Sequence, residues 1–208
     1  MNSGMEALER LKQGNKSYVD EVRGHGARVT QKRRNELVDG QNPFAIILGC
    51  SDSRVPAEIV FDQGLGDLFV IRVAGNIVAP SQVGSVEFAA DRFGTRLVVV
   101  LGHTMCGAVE ATVEQLRQDT EHRSPNLRSI VDRIRPAIEP LMKKAPQCDA
   151  TALLGRAIRA NTFAAAEHLR HGSAILEKLI QDEGLLIIPA EYSLETGVVE
   201  FFEKEMPR

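Results

Sequence analysis

The sequence predicts an α/β fold: a central, mostly parallel sheet of four to five strands flanked by helices, with a helical arm at the N-terminus. Three observations lead there. Continuous Val/Ile/Leu runs bounded by Gly or Pro recur as "FAIILG", "DLFVIRV", "RLVVVLG" and "GLLIIPAEY", the pattern of strands buried on both faces. Helical patterns separate them, which is how parallel strands are connected. The chain has 208 residues, 43% hydrophobic and 25% charged, enough to bury one sizeable core as a single domain over residues 1–208.

The elements follow in order. Leu8, Leu11, Tyr18 and Val19, with charges between them, predict an amphipathic first helix. "RGHGARVTQ" reads as a linker carrying a solvated His25, and "QKRRNELVDG" as a short helix closed by Gly40, completing an arm over residues 1–40. Residues 41–208 form the α/β core. After "FAIILG" come "PAEIVFDQ", the strand "DLFVIRV", the helical "SQVGSVEFAADRFG", the strand "RLVVVLG" and the helical "AVEATVEQLRQ". Two longer helices are expected over residues 126–144 and 151–182, broken at Pro146 in "KKAPQCDA". "GLLIIPAEYSLETGVVEFFEK" predicts a strand, a turn at Thr196 and Gly197, and an edge strand.

Bulk charge narrows the function. A formal net charge of −3 gives no general attraction to nucleic acid, and "KRR" at Lys32 to Arg34 is a solvated helix face. The N-terminus lacks a signal-type apolar run and no segment is long and apolar enough for a membrane span, so a cytoplasmic protein is expected. Three cysteines in a reducing compartment point to metal binding or catalysis before disulfides, with Cys148 left over as an incidental thiol.

The chemistry collects at two strand ends. "GCSDSRV" follows the first apolar run and sets Cys50, Asp52 and Arg54 two residues apart, costly neighbours to bury without a partner. "VVVLGHTMCGAV" repeats the layout with His103 and Cys106 between Gly102 and Gly107. Ligands in an open parallel sheet gather at the carboxyl ends of strands near the switch in strand order, so Cys50, His103 and Cys106 can converge. Two Cys and one His form a set that zinc uses with a fourth position open, as in catalytic sites. Asp52 either fills that position or turns toward Arg54; a closed structural zinc or a redox thiol pair are the competing readings.

"CSDSRVPAEIVFDQGLGDLFVIRVAGN" and "GHTMCGAV" resemble the two signature blocks of the β-class carbonic anhydrases, and the resemblance extends to "ALERLKQGNKSYV", "NTFAAAEHLRHGSAILEKLI" and "YSLETGVVEF". It implies one zinc per chain on Cys50, His103 and Cys106, with Asp52 and Arg54 as the catalytic dyad and Asp52 a metal ligand only in a closed state. It implies a strand order of about 2-1-3-4 plus an edge strand, and a homodimer or tetramer whose N-terminal helix lies across a neighbouring subunit. The implied reaction is reversible hydration of carbon dioxide to bicarbonate by zinc-bound hydroxide. Gln41, Phe69, Ala74, Phe88 and Gly102 are the implied substrate-binding residues.

The chain also departs from the family pattern. Ile47 stands where one branch carries a Trp that holds an inhibitory bicarbonate together with an Arg and a Tyr, which Arg72 and Tyr192 match. Phe88 replaces a Tyr, and Pro189-Ala190 replaces a Gly before the final turn, where proline cannot donate a ladder hydrogen bond. Rival functions on the same scaffold are hydrolysis of carbonyl sulfide or carbon disulfide, and a non-catalytic, closed-zinc bicarbonate sensor. His122 and His168 are proton-shuttle candidates by residue type alone.

Overall fold

The computed structural model describes residues 3–21, 30–118, 124–144 and 149–203. Every residue of β1 (Ala45–Gly49) and β3 (Leu97–His103) is buried, as the unbroken apolar runs require of strands covered on both sides. With β2 (Leu68–Arg72), β4 (Leu186–Tyr192) and β5 (Val199–Phe201) they form one sheet in the order β2-β1-β3-β4-β5. All pairings are parallel except β4 with β5, so the expected order with an edge strand holds.

Pro189 sits in β4 without breaking it. Its carbonyl accepts the Phe202 N–H at 3.0 Å, and a strand residue's N–H and C=O point to the same side, so the missing donor faces the end of β5. There β4–β5 pairing begins only at Ala190 with Phe201.

Strand alternation sorts the core into faces. Ile47, Val99 and Leu101 pack on α1 (Gly4–Val19) and α3 (Ala57–Val60). Ile46, Leu48, Val98 and Val100 pack on α4 (Pro80–Arg92), α7 (Ala150–His171) and α8 (Ala174–Glu183). A third apolar cluster joins α5 (Gly107–Gln118), α6 (Pro125–Lys144) and α7 around Cys50 and Cys106.

Helix α1 opens with a capping box between Ser3 and Glu6 and buries Ala7, Leu8 and Leu11 on its own chain's sheet. Each fully buried leucine contributes about 2 kcal/mol. Two expectations are corrected. Helix α2 (Gln31–Glu36) ends at Leu37, three residues before Gly40. The span expected as one helix over residues 151–182 is two, α7 and α8, because Ser173 leaves the helical path and its Oγ caps the Leu176 N–H at 3.2 Å. Pro146, His25, His122 and Cys148 lie outside the described residues. Among the described residues no helix is long and apolar enough to cross a membrane.

Candidate metal centre

Strand register explains the site. β1 and β3 are parallel neighbours with Gly49 opposite Leu101, so Cys50, one residue past β1, and His103, the last residue of β3, emerge at the same edge of the sheet. From β1 the chain crosses to β2 on one side and from β3 to β4 on the other, which opens a crevice between their carboxyl ends. A turn through Met105, held at φ 55°, then brings Cys106 back immediately before α5. The ligand atoms of Cys50, His103 and Cys106 all lie within 4.8 Å of one another.

The donors are arranged for a cation. His103 is fully buried; its Nδ1 donates to the Thr104 carbonyl at 2.9 Å, which leaves Nε2 as the lone-pair nitrogen, buried and with no hydrogen-bond partner. A hydrogen bond from Cys106 holds the Cys50 thiol well below its ordinary range against the opposing effect of burial, and the His103 ring and the Gly75 N–H, 3.3 Å from Sγ, add to it. The same bond, with burial, pushes Cys106 up, although the N–H groups of Val109 and Ala108 at the start of α5 pull the other way. Two thiols and a bare imidazole nitrogen match the borderline-soft ligand preference of zinc, and a divalent cation satisfies both sulfurs as thiolates.

Asp52 is turned toward Arg54. Its Oδ2 lies 3.9 Å from His103 Nε2, while both of its oxygens accept hydrogen bonds from the guanidinium, whose Nη2 also reaches the Met105 carbonyl at 3.3 Å. Those bonds hold the Asp52 carboxyl far below the usual carboxylate range. Arg72, matched in the sequence only to an inhibitory site, pins this loop: Nε donates to the Cys50 carbonyl at 3.1 Å and Nη2 to the Asp52 carbonyl at 2.6 Å. Tyr192 instead bonds Tyr18, hydroxyl to hydroxyl at 3.1 Å, and Ile47 is fully buried in the same apolar cluster.

The remaining site residues divide in two. Ala74 begins the 3-10 turn Ala74–Asn76 beside Cys50, and Gly102 adjoins His103. A Cβ on Gly102 would stand 2.1 Å from Thr162 Oγ1, so this glycine permits close approach of α7 as well as backbone access. Gln41 precedes β1 and is exposed at the amino end of the sheet, about 16 Å of strand from Cys50. Phe69 pairs in register with Ile46, four residues short of Cys50, and stacks with Phe88 and Phe93 at centroid distances of 6.3 and 6.1 Å. Within one chain Gln41, Phe69 and Phe88 therefore do not meet the cluster. His168 is exposed on α7 and borders a 750 Å³ cavity between α4, α6 and α7 that none of the three ligand side chains lines.

A parallel sheet whose crevice holds a buried Cys, His, Cys cluster next to an Asp/Arg pair defines an α/β protein with a candidate metal centre. The family model described as carbonic anhydrase matches residues 45–199. The chain belongs to this family, in its β class. It is 45% identical over 132 residues to a carbonic anhydrase of Mycolicibacterium smegmatis, a match covering 64% of this chain. It is 42% identical over 132 residues to carbonic anhydrase 2 of Mycobacterium tuberculosis, again over 64% of this chain. The chain spans 63% of the length of each of these two relatives. In fold it is similar to the β-carbonic anhydrase CafA of Aspergillus fumigatus, with TM-score 0.76 and 22% identity over 98% of this chain and 92% of that one. A tetrameric β-carbonic anhydrase of Sordaria macrospora superposes with TM-score 0.74 and 18% identity, over 95% of this chain and 98% of that one.

Proposed function

We propose that this protein catalyses the reversible hydration of carbon dioxide to bicarbonate and a proton, using one zinc ion held by Cys50, His103 and Cys106. The observation that carries the reading is the convergence of three buried donor atoms within 4.8 Å, one of them a histidine nitrogen with no other partner. Zinc in such a set lowers the pKa of a water in the remaining position toward about 7 and so supplies a nucleophile near neutral pH.

The chain's own residues do the rest. Asp52, ionised and acceptor-only, would accept a hydrogen bond from the nucleophile and so leave its lone pair aimed at the substrate carbon. Arg54 fixes that carboxylate by a two-pronged grip and keeps it off the metal position. Arg72 holds the backbone that carries Cys50 and Asp52. Ala74 and Gly102 border the substrate. The apolar cluster around the donors, with Ile77 after the 3-10 turn, Val109 of α5 and Ile134 of α6, makes the surroundings apolar, which suits an uncharged linear substrate.

Gln41, Phe69 and Phe88 join the pocket through self-association: in a homodimer, or a tetramer of dimers, these side chains of one copy border the crevice of another. A Phe88 that is 54% exposed supports this, as does the tetrameric fold relative. The need for reduced Cys50 and Cys106 fits a cytoplasmic enzyme.

The test is stopped-flow carbon dioxide hydration by the zinc-loaded wild type and Asp52→Asn. The proposal expects a fast wild type and a variant slower by about 100-fold with unchanged zinc. A zinc-loaded wild type without hydration activity would instead mark a closed sensor with Asp52 on the metal. Preferential turnover of carbonyl sulfide or carbon disulfide would reassign the substrate.

A further inference from the structure

Asn161 is an unexpected residue where it stands. It lies in the middle of α7, is 3% exposed, and asparagine is a poor helix former whose buried amide is costly unless hydrogen-bonded. Neighbours on the same helix, Ala157, Ile158 and Ala165, are apolar core residues. The asparagine has a specific partner outside the helix: its Nδ2 donates to the Gly75 carbonyl at 2.8 Å.

Gly75 is the residue whose N–H donates to Cys50 Sγ at 3.3 Å. It is held at φ 69°, ψ 21°, and the next residue, Asn76, is also left-handed at φ 42°. Glycine takes that region freely and asparagine tolerates it, so what fixes the turn's orientation comes from its contacts. No side chain caps this 3-10 turn. Helices α5 and α6 crowd it from one side, since a Cβ on Gly75 would meet Ile134 Cδ1 at 2.8 Å and Ala108 Cβ at 3.2 Å. Asn161 tethers it from the other.

We infer that Asn161 is a positioning residue for the metal centre: by holding the Gly75 carbonyl it aims the Gly75 N–H at the Cys50 sulfur. The inference rests on the zinc reading above and deepens it. An N–H bonded to a ligating thiolate draws charge from the sulfur, so the sulfur donates less to the cation and the cation stays more acidic. When the tether is lost the turn relaxes, the N–H swings away and Cys50 becomes a stronger, less oriented donor.

The experiment compares wild type, Asn161→Leu and Asn161→Ser after loading with cobalt(II) and, separately, zinc. Leu fills the site without a donor; Ser keeps the helix but is too short to reach Gly75, and serves if the Leu variant does not fold. Zinc affinity, read by chelator competition, is expected to fall about 10-fold or more, because the lost orientation of Cys50 outweighs its stronger donation. The thiolate-to-cobalt charge-transfer band is expected to move to lower energy, a change that loss of global stability alone does not produce. A folded variant with the wild-type band position and affinity would overturn the role of Asn161 while leaving the metal site standing. A wild type that binds neither metal would overturn the zinc reading itself.

Discussion

Asp52 accepts three hydrogen bonds from Arg54: the backbone N–H and Nε reach Oδ1, each at 2.9 Å, and Nη2 reaches Oδ2 at 2.7 Å. The Arg54 side chain is 51% exposed, so the pair contributes little to stability; its consequence is direction. A lysine retains the charge without the planar fork. Arg54→Lys is therefore expected to lower kcat/KM for carbon dioxide about 10-fold and Arg54→Ala about 100-fold, with zinc content unchanged. Stopped-flow rates measured beside metal analysis check this; an active Arg54→Ala enzyme would remove the dyad from the account.

Glu191 predicts a pH effect on stability. Burial raises its carboxyl pKa, Arg159 partly opposes this, and Oε2 has no hydrogen-bond partner. A carboxyl whose folded pKa lies above its unfolded value supports the fold fully below the unfolded value, near about 4.3, and loses that contribution as pH rises through the folded one. Glu191→Gln should accordingly stabilise the protein at neutral and alkaline pH, by about 1 kcal/mol, and do little in acid. Arg159 keeps Glu200 at 2.7 Å in either case. Thermal melts of both proteins across pH test the sign.

Asn15 ties α1 to its own chain. Its Nδ2 donates to the carbonyls of Val60 at 3.1 Å and Gly197 at 2.9 Å, and its Oδ1 accepts the Val199 N–H at 2.9 Å. Asn15→Ala strands three backbone groups, so a loss of about 3 kcal/mol is expected. Urea unfolding gives the value; an unchanged midpoint would mean that α1 is not part of the cooperative core.

Phe88 tests self-association. An exposed ring packed on Phe69 and Phe93 at the amino end of the sheet is an apolar surface, and Phe88→Glu puts a charge on it. Sedimentation should find the variant in a smaller species than the wild type. Equal sedimentation would take this face out of any interface.

How far the sequence revealed this molecule depended on the range of the interactions. Cys50, His103 and Cys106 were legible because metal-type residues at the ends of buried strands have few other uses, and the unbroken Val/Ile/Leu runs announced parallel strands without any contact information. The Gly172–Ser173 break was hidden because both helices keep the same apolar period and a glycine alone does not end a helix. Arg72 and Asn161 were hidden for another reason: their partners lie 22 and 86 residues away, and neither contact leaves a local pattern. Gln41, Phe69 and Phe88, named by resemblance alone, do not reach the cluster within one chain; register sets Phe69 opposite Ile46, four residues short of Cys50.

The most direct measurement is the zinc content of reduced, zinc-equilibrated protein, for the wild type and for Cys50→Ser, His103→Ala and Cys106→Ser. The account predicts one tightly held ion per wild-type chain and its loss in each folded variant. A wild type that retains no zinc, or a full complement retained when any of the three side chains is removed, would contradict it.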